Sequence, residues 1–370
     1  MDSADFLIIG GGVAGLSAGA RLARHGRVVV LEAEEALGFH SSGRSATFSH
    51  YGIGNHVVRV LTEHSRRFFL ETDGGALARS STALYVATAE MRSTLDALAE
   101  TMAAFTDTGH MAREAEMLDL FPPLRTGGDA IVAGLVYPDG LRLDSDAMLQ
   151  HFARTIRTAG GAVLTRQRIA RIGEGWTAET EAGERWTAPV LINAAGAWAD
   201  RIAELAGVAP LGLTPKRRTI IVVDPPAGAN VRGWPFVKTV MDDFYILPES
   251  GRLMASPVDE IASDPCDAQP EEYDIALTAA KVEEYTTLSV ARIAHRWAGL
   301  RTFTADRTPA AGFDTEAPGF LWLAGQGGFG LQTAPAMAEA VEALVTGSPW
   351  PGALAADGVT AAELDPARLR

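Results

Sequence analysis

The chain has 370 residues, of which 47% are hydrophobic and 21% charged, values typical of a globular protein with two domains or one large α/β domain carrying an insertion. Its formal net charge of −14 disfavours binding to nucleic acid and to anionic membrane surfaces, because the protein's own field repels phosphate groups.

The N-terminal residues and the cysteine content indicate a cytoplasmic protein. Asp2 and Asp5 precede a short apolar run, Phe6–Ile9, which breaks at once into glycines and so predicts a strand rather than a signal peptide. The single cysteine, Cys266, excludes an intramolecular disulfide and predicts an ordinary loop thiol in a reducing compartment. No apolar run reaches the roughly 18 residues of a membrane span, so we expect no integral membrane segment; peripheral contact with the inner membrane stays open.

A strand, a helix and a second strand open the chain. Phe6–Ile9 and Arg27–Glu32 are apolar runs that predict strands, and Val13–His25 predicts the helix between them. Gly26 follows this helix, where a left-handed cap residue is expected. The strands lack apolar–polar alternation, which is typical of a parallel sheet covered on both faces.

The same sheet is predicted to continue far along the chain, at Pro189–Asn193 and Phe320–Ala324, so that the nucleotide domain is discontinuous. The intervening residues predict strands of a second, largely antiparallel sheet that covers the cofactor. The other predicted elements are strands at Leu84–Ala87, Ala130–Tyr137, Thr219–Val223, Phe244–Leu247 and Leu253–Ser256, a small meander over 162–187, and helices at Ser145–Thr158 and Ile275–Ile293.

Three glycines at the first turn form a dinucleotide-binding motif. Gly10, Gly12 and Gly15 lie between the predicted strand and helix, where they permit a tight turn, backbone approach to a pyrophosphate and close helix packing. The helix N-terminus presents amides to the phosphates, and Glu32 ends the second strand, where a carboxylate accepts ribose hydroxyls. The motif alone does not separate NAD from FAD.

Three later segments favour FAD. Phe39–Thr47 is a loop rich in hydroxyl side chains, placed where its amides and hydroxyls reach a pyrophosphate. Ile192–Asp200 passes from strand to helix through small residues that let backbone contact a nucleotide. Gly325–Pro335 is a second glycine-rich junction, whose helix N-terminus stabilises negative charge on a reduced flavin.

With these segments in place, the chain resembles the D-amino-acid oxidase superfamily of flavoproteins, which includes glycine oxidase, sarcosine oxidase and bacterial D-amino-acid dehydrogenases. The segments GGGVAGLSAG, HSSGRSA, INAAGAWAD, TPKRR, WAGLRTFTADRTPAAG and GQGGFGLQTAP occur in family order. PLGLTPKRR and FYILP are most similar to the D-arginine dehydrogenase type. The resemblance implies an α/β fold in which a Rossmann-type FAD-binding domain (1–75, 140–210 and 296–370) carries an inserted, largely antiparallel α+β substrate domain (76–139 and 211–295).

The resemblance also implies one FAD, bound without a covalent bond. Sarcosine-oxidase relatives attach the flavin through a cysteine, and the corresponding stretch here, Gly299–Asp306, contains none. No histidines are paired at metal-ligand spacing, so no metal is predicted. The residues expected to contact FAD are Gly10, Gly12, Val13, Ala14, Gly15, Glu32, Ser41, Ser42, Gly43, Arg44, Ser45, Ala46, Ile169, Ala195, Gly196, Gly330, Leu331 and Thr333.

Three side chains are expected to bind a substrate carboxylate. Arg301 matches the family arginine that contacts it, and a guanidinium gives two parallel charge-assisted hydrogen bonds that a lysine cannot reproduce. By resemblance Arg218 is a second arginine beside the substrate and Tyr245 contributes a hydroxyl. The alternative for Arg218 is that residues 216–218 form a solvated basic run without a substrate role.

Four further residues complete the predicted substrate site. Gly328 has a backbone carbonyl suited to the substrate amine, and Gln332 is expected near flavin or substrate. His50 and Tyr51 are interpreted as part of a loop over the pocket, with an ordinary surface turn as the alternative.

The predicted activity is oxidation of a D-amino acid to an imino acid, which hydrolyses to a 2-oxo acid and ammonia. Residues 80–85 contain no carboxylate that would bind a cationic side chain, so an uncharged side chain is expected rather than arginine. The alternatives are sarcosine or another N-alkyl or cyclic amino acid, a 2-hydroxy acid with His50 as the base, or a flavin-binding subunit without turnover. The electron acceptor, oxygen or a quinone, stays open.

Overall fold

The computed structural model describes residues 2–370, which form ten α-helices and 23 strands. The helices are α1 Val13–Leu22, α2 His56–Glu71, α3 Arg92–Ala103, α4 Glu114–Leu120, α5 Ser145–Thr158, α6 Ala199–Leu205, α7 Glu272–Tyr285, α8 Gly330–Thr346, α9 Gly352–Ala356 and α10 Ala361–Leu364. The strands are β1 Asp2–Ser3, β2 Phe6–Ile9, β3 Val28–Leu31, β4 Phe48–Ser49, β5 Ala78–Ser80, β6 Ala83–Ala87, β7 His110–Ala112, β8 Ala133–Tyr137, β9 Leu141–Leu143, β10 Ala162–Leu164, β11 Ile169–Gly173, β12 Thr177–Thr180, β13 Arg185–Thr187, β14 Val190–Asn193, β15 Thr214–Val223, β16 Phe236–Thr239, β17 Tyr245–Glu249, β18 Arg252–Ser256, β19 Ile261–Ala262, β20 Ile293–Phe303, β21 Ala310–Phe313, β22 Phe320–Ala324 and β23 Gln326–Gly327.

A six-stranded sheet forms the nucleotide-binding half, in the order β10-β3-β2-β14-β22-β21. All its pairings are parallel except that of β21 with β22. The predicted strand–helix–strand unit is confirmed, and β22 has the predicted bounds. Ala162–Leu164 pairs with β3, so the prediction that this strand belongs to the meander was wrong.

A ten-stranded sheet forms the other half, in the order β23-β20-β15-β18-β17-β16-β6-β8-β7, with β19 paired to β15. Only the β16–β6 pairing is parallel, which confirms a largely antiparallel sheet. β20 pairs with β15 along its whole length, so residues 296–303, expected in the FAD-binding domain, belong to this sheet. The domain division itself stays a prediction.

Apolar clusters cover both faces of each large sheet. Helices α1, α5 and α8 contribute to the core on one face of the six-stranded sheet, and the meander β11–β13 with α6 covers the other. The ten-stranded sheet likewise has buried clusters on both faces. The mixed α/β fold class predicted from the sequence is therefore confirmed. Within residues 2–370, no helix is long and apolar enough to cross a bilayer.

Two local predictions were wrong. The helix expected over Ile275–Ile293 ends at Tyr285, and Ile293 instead begins β20. Gly26 does not adopt the left-handed conformation, because α1 already ends at Leu22. Gly26 instead packs against the carboxylate of Asp5, which accepts a hydrogen bond from the Arg27 amide.

Candidate active site

The turn between β2 and α1 builds one end of a long cavity. Gly10 has φ of +115°, and a side chain there would collide with the carbonyl of Ala194 on the neighbouring strand. Gly15 packs against the Gly10 carbonyl with no room for a Cβ. These two contacts hold the N-terminus of α1 close to the carboxyl ends of the parallel strands, which is where a dinucleotide pyrophosphate binds.

The acid at the end of β3 lies at the cavity wall. The carboxylate of Glu32 accepts hydrogen bonds from the amides of Gly11 at 2.7 Å and Glu34 at 2.8 Å. These bonds fix its orientation beside the turn. Glu32 lines the cavity, in the position where a carboxylate accepts ribose hydroxyls.

The loop Phe39–Thr47 connects the two sheets. The Ser42 hydroxyl accepts the Val13 amide at 3.0 Å, and the Ser41 hydroxyl donates to the Leu300 carbonyl. The Arg44 guanidinium donates to the carbonyls of Ala268 and Ala298, each at 3.1 Å. Arg44 therefore attaches this loop to β20, and its guanidinium is already committed to protein groups.

Most of the residues predicted to contact FAD line this one cavity. They are Gly10, Gly12, Val13, Ala14, Glu32, Ser41, Ser42, Arg44, Ser45, Ile169, Ala195, Gly196, Gly330 and Leu331. The four others do not line it: Gly15 packs behind the turn, Gly43 faces a second cavity, Ala46 is buried in an apolar cluster, and the Thr333 hydroxyl donates to the Phe329 carbonyl.

The cavity's other end is formed by two arginines of the ten-stranded sheet. Arg218 on β15 lies opposite Gly299, and Arg301 on β20 lies opposite Lys216, so both arginine side chains project from the same face. Arg218, Arg301 and Gly328 all line the cavity. A Cβ on Gly328 would lie 2.7 Å from Nη1 of Arg301, so a side chain at this position would displace the guanidinium.

The two arginines differ in their partners. Arg218 is 4% exposed; its Nε donates to the Asp259 carbonyl at 2.7 Å, and Asp259 and Glu260 supply negative charge nearby. Burial and the positive charge of Arg301 lower the pKa of Arg218 to about 10. Arg301 has no hydrogen bond or ion pair with any side chain or backbone group of residues 2–370, so its donors remain available to a ligand in the cavity.

Tyr245 lies on the same face of the sheet and is almost fully buried. Its hydroxyl has no hydrogen-bond partner within the described chain. Leaving a buried polar group unpaired costs about 1–3 kcal/mol, which a ligand oxygen would recover. Arg301 and Tyr245 thus both lack a hydrogen-bond acceptor, which the carboxylate of a ligand would provide.

His50 and Gln332 form a buried group beside this face, without lining the cavity. The Nδ1 atom of His50 is hydrogen-bonded to the Tyr85 hydroxyl. The Gln332 amide donates to the Thr62 hydroxyl at 2.7 Å and contacts the His50 backbone at 3.4 Å. Burial, followed by the nearby charges of Lys238 and Arg59, holds the pKa of His50 well below its usual range, so the imidazole is neutral at physiological pH.

Tyr51 is a buried residue that does not line the cavity. Its ring stacks on Phe105 and its hydroxyl is bonded to Glu63. His50 and Tyr51 are both buried, and Gly52 lies tightly against the Tyr85 ring. This segment is therefore packed into the core rather than forming a surface turn, and a role for His50 and Tyr51 in a loop over the pocket stays a prediction.

One charged residue near the arginines was missed in the sequence. Lys238 is 3% exposed, and its register partners are Tyr85 on one neighbouring strand and Tyr245 on the other. The available signal was a lone lysine inside the apolar run FVKTV. Alternation along a strand places Lys238 on the face that carries Tyr245.

This arrangement, a parallel-sheet dinucleotide cradle facing an arginine-bearing antiparallel sheet, defines a dinucleotide-binding protein of two-sheet architecture with an anion site beside the nucleotide. Residues 5–344 match the family described as FAD dependent oxidoreductase, so the chain belongs to that family and FAD is its cofactor. The glycine turn, the open helix N-terminus and the long cavity fit this dinucleotide.

Curated relatives match at low identity. Glycerol-3-phosphate dehydrogenase 1 of Mycobacterium tuberculosis (strain ATCC 25618 / H37Rv) is 25% identical over 331 residues, covering 80% of this chain and 62% of the relative. FAD-dependent oxidoreductase domain-containing protein 1 of Bos taurus is 27% identical over 210 residues, covering 51% and 42%. The chain thus spans less than two thirds of these relatives.

Solved structures match the fold over nearly the whole chain. L-proline dehydrogenase from P. horikoshii has a TM-score of 0.83 at 20% identity, covering 99% of this chain and 98% of that one. L-alpha-glycerophosphate oxidase from Mycoplasma pneumoniae with FAD bound has 0.82 at 21%, covering 94% and 95%. Glycine oxidase from Geobacillus kaustophilus has 0.80 at 20%, covering 97% and 99%.

Proposed function

We propose that this FAD-dependent oxidoreductase oxidises a D-amino acid to its imino acid, which water hydrolyses to a 2-oxo acid and ammonia. The observation that carries the proposal is a pair of groups without protein partners on one face of the sheet: the Arg301 guanidinium, which lines the cavity, and the buried Tyr245 hydroxyl, which does not itself line it. A carboxylate offers two oxygens with several lone pairs, enough to accept from both.

The carboxylate is bound mainly by charge-assisted hydrogen bonds. Arg301 donates two parallel N–H groups to it, and the neighbouring Arg218 adds positive charge without leaving its own partner, Asp259. Tyr245 donates its hydroxyl from the adjoining part of the sheet. Because all three project from a sheet, they orient the substrate on a rigid support, and orientation supplies much of the rate enhancement in such reactions.

The amine and the α-hydrogen occupy the remaining side of the site. The Gly328 backbone carbonyl, next to Arg301, is suited to accept a hydrogen bond from the substrate amine. Bound FAD supplies the acceptor for the hydride that leaves the α-carbon. As the hydride leaves, the amine nitrogen's lone pair forms the C=N bond, and the nitrogen proton passes to solvent.

The side chain of the substrate carries no positive charge in this proposal. Residues 80–85 contain no carboxylate, and the buried Lys238 repels a cation from the same face of the sheet. The D configuration rests on the motifs shared with the D-amino-acid dehydrogenases, since enzymes named for other substrates share the fold.

A second candidate is a 2-hydroxy acid, for which His50 is the candidate base, although His50 does not line the cavity. An alcohol needs a base to take its hydroxyl proton, and a neutral imidazole can accept one, less readily as its pKa falls below the operating pH. His50 is neutral and is held by Tyr85. Replacing His50 with Ala separates the candidates. Loss of hydroxy-acid oxidation supports this second function, whereas unchanged turnover of the hydroxy acid shows that His50 is not its base.

Anaerobic mixing of the holoenzyme with substrates tests the proposal. The panel holds D- and L-amino acids, N-methyl and cyclic amino acids, and 2-hydroxy acids, and the measurement is bleaching of the yellow absorbance of the oxidised flavin. Reduction fastest with D-amino acids supports the proposal. Faster reduction with L-amino, N-alkyl or hydroxy acids reassigns the substrate, and a flavin that stays oxidised with every compound indicates a binding subunit.

A further inference from the structure

Lys238 is a buried cation that has no part in the proposed binding of the substrate α-carboxylate. The chain has three lysines, Lys216, Lys238 and Lys281, and Lys238 is the one that is almost fully buried. Its two neighbours in register, Tyr85 and Tyr245, lie on the face of the sheet that bears the arginines. An ammonium is strongly hydrated and costly to bury, so this position calls for a binding partner.

The hydrogen-bond donors of Lys238 are incompletely satisfied. Its ammonium has three N–H donors, and its recorded partner within residues 2–370 is the carboxylate of Asp242, four residues further along the chain. The Asp242 side chain is 57% exposed, so it neutralises the charge from the solvent side. Two donors remain for a ligand.

The cation belongs electrostatically to the substrate site. Burial and then the positive charges of Arg218 and Arg301 lower the pKa of Lys238, against the opposing effect of Asp242. Lys238 in turn lowers the pKa of His50. Lys238 therefore adds its charge to the positive field of the arginine pair on this face, although it does not itself line the cavity.

Packing alone does not explain a lysine at this position. The surrounding cluster consists of apolar and aromatic side chains, among them Phe236, Leu247 and Met254. Replacing buried ions by apolar side chains of similar size is often neutral or stabilising, so methionine would serve packing at least as well. The cation is better explained by recognition of an anion.

We propose that Lys238 binds a second anionic group of the substrate, so that the substrate is an amino acid with an acidic side chain. The inference rests on the proposed function, in which Arg301 and Tyr245 take the α-carboxylate. Lys238 then takes the distal anion, a carboxylate or a phosphate. An acidic side chain therefore replaces the uncharged one expected from the absence of a carboxylate at residues 80–85.

Matched pairs of acids and neutral analogues test this selectivity. The pairs are D-glutamate with D-glutamine, D-aspartate with D-asparagine, and O-phospho-D-serine with D-serine, and the measurement is kcat/KM for flavin reduction. A hydrogen bond to a charged group contributes about 1.5–3 kcal/mol, so we expect the acid to exceed its neutral analogue by about 10- to 150-fold. The pair with the largest ratio identifies carboxylate or phosphate as the distal group.

Three variants assign the selectivity to the ammonium. Lys238→Met should lower the acid-to-neutral ratio at least tenfold, mainly through KM, and Lys238→Arg should restore part of it. Lys281→Met is the matched control, because Lys281 lies on α7 and pairs with Asp243 and Glu284, and it should leave the ratio unchanged. A wild-type enzyme that prefers the neutral analogues, or equal losses on both in Lys238→Met, would overturn the inference.

A binding measurement separates this inference from the proposed function. Glutarate and butyrate are added to the oxidised holoenzyme, and dissociation constants are read from the flavin difference spectrum and by calorimetry. Tighter binding of glutarate by tenfold or more, abolished in Lys238→Met, supports the second-anion site even if no amino acid reduces the flavin. Equal affinities in the wild type reject the site even if amino acids are oxidised.

Discussion

Replacing Arg301 with methionine removes the guanidinium while retaining most of the aliphatic stem. Two charge-assisted hydrogen bonds of about 1.5–3 kcal/mol each are lost, partly offset by water and by Arg218, whose charge remains. A net loss of roughly 3 kcal/mol corresponds to about a 150-fold fall in kcat/KM, since each 1.4 kcal/mol is tenfold. Because the carboxylate is bound before and during the reaction, most of this fall should appear as a higher KM.

The assay is stopped-flow reduction of the holoenzyme by its best substrate, with FAD content measured from absorbance. Arg296→Met is a matched control on the same strand, because Arg296 pairs with Glu272 at the exposed end of β20. Arg301→Lys tests geometry, since it keeps the charge but loses bidentate binding. An unchanged KM in Arg301→Met with full FAD content would refute the clamp.

Three other changes probe neighbouring groups. Tyr245→Phe removes a hydroxyl that has no protein partner, so we expect about a tenfold higher KM with an unchanged or higher Tm; a lower Tm in thermal unfolding would indicate a missed structural bond. Gly328→Ala places a methyl group against Arg301, and we expect a raised KM with retained FAD, which normal kinetics would contradict. Folding lowers the pKa of His50, so below about pH 6.5 the unfolded chain binds more protons than the folded one. The free energy of unfolding should therefore fall more between pH 6.5 and 5 in the wild type than in His50→Gln. If the two proteins lose stability equally over this range, His50 makes no such contribution.

The nucleotide half was predictable because local pattern and motif coincide there. Strand Phe6–Ile9, helix Ser145–Thr158 and strand Phe320–Ala324 have their predicted bounds. A continuous apolar run and an amphipathic stripe report burial directly. The glycine motif then fixed which ends of these strands form the cavity.

The substrate half was less predictable because both faces of its sheet are buried. Strand Phe236–Thr239 has no exposed residue, so alternation did not tell which face Lys238 occupies. The end of helix α7 at Tyr285 also gave no strong signal, since apolar residues continue through Val290 and Ile293 at spacings compatible with a helix. The face occupied by Lys238 and the end of α7 both depend on long-range strand pairing, which local patterns do not encode.

The loop containing Ser41 and Arg44 joins the cofactor cavity to the strand that carries Arg301. Its bonds to the carbonyls of Leu300, Ala298 and Ala268 mean that anything stiffening the loop also stiffens the clamp. We therefore expect FAD binding to stabilise the substrate site as well as the fold, because FAD binds the conformations in which this loop is ordered. In the apoprotein, the β20 amides should consequently exchange their hydrogens faster than in the holoenzyme. Reconstitution with FAD should restore both the protection of these amides and the affinity for carboxylates.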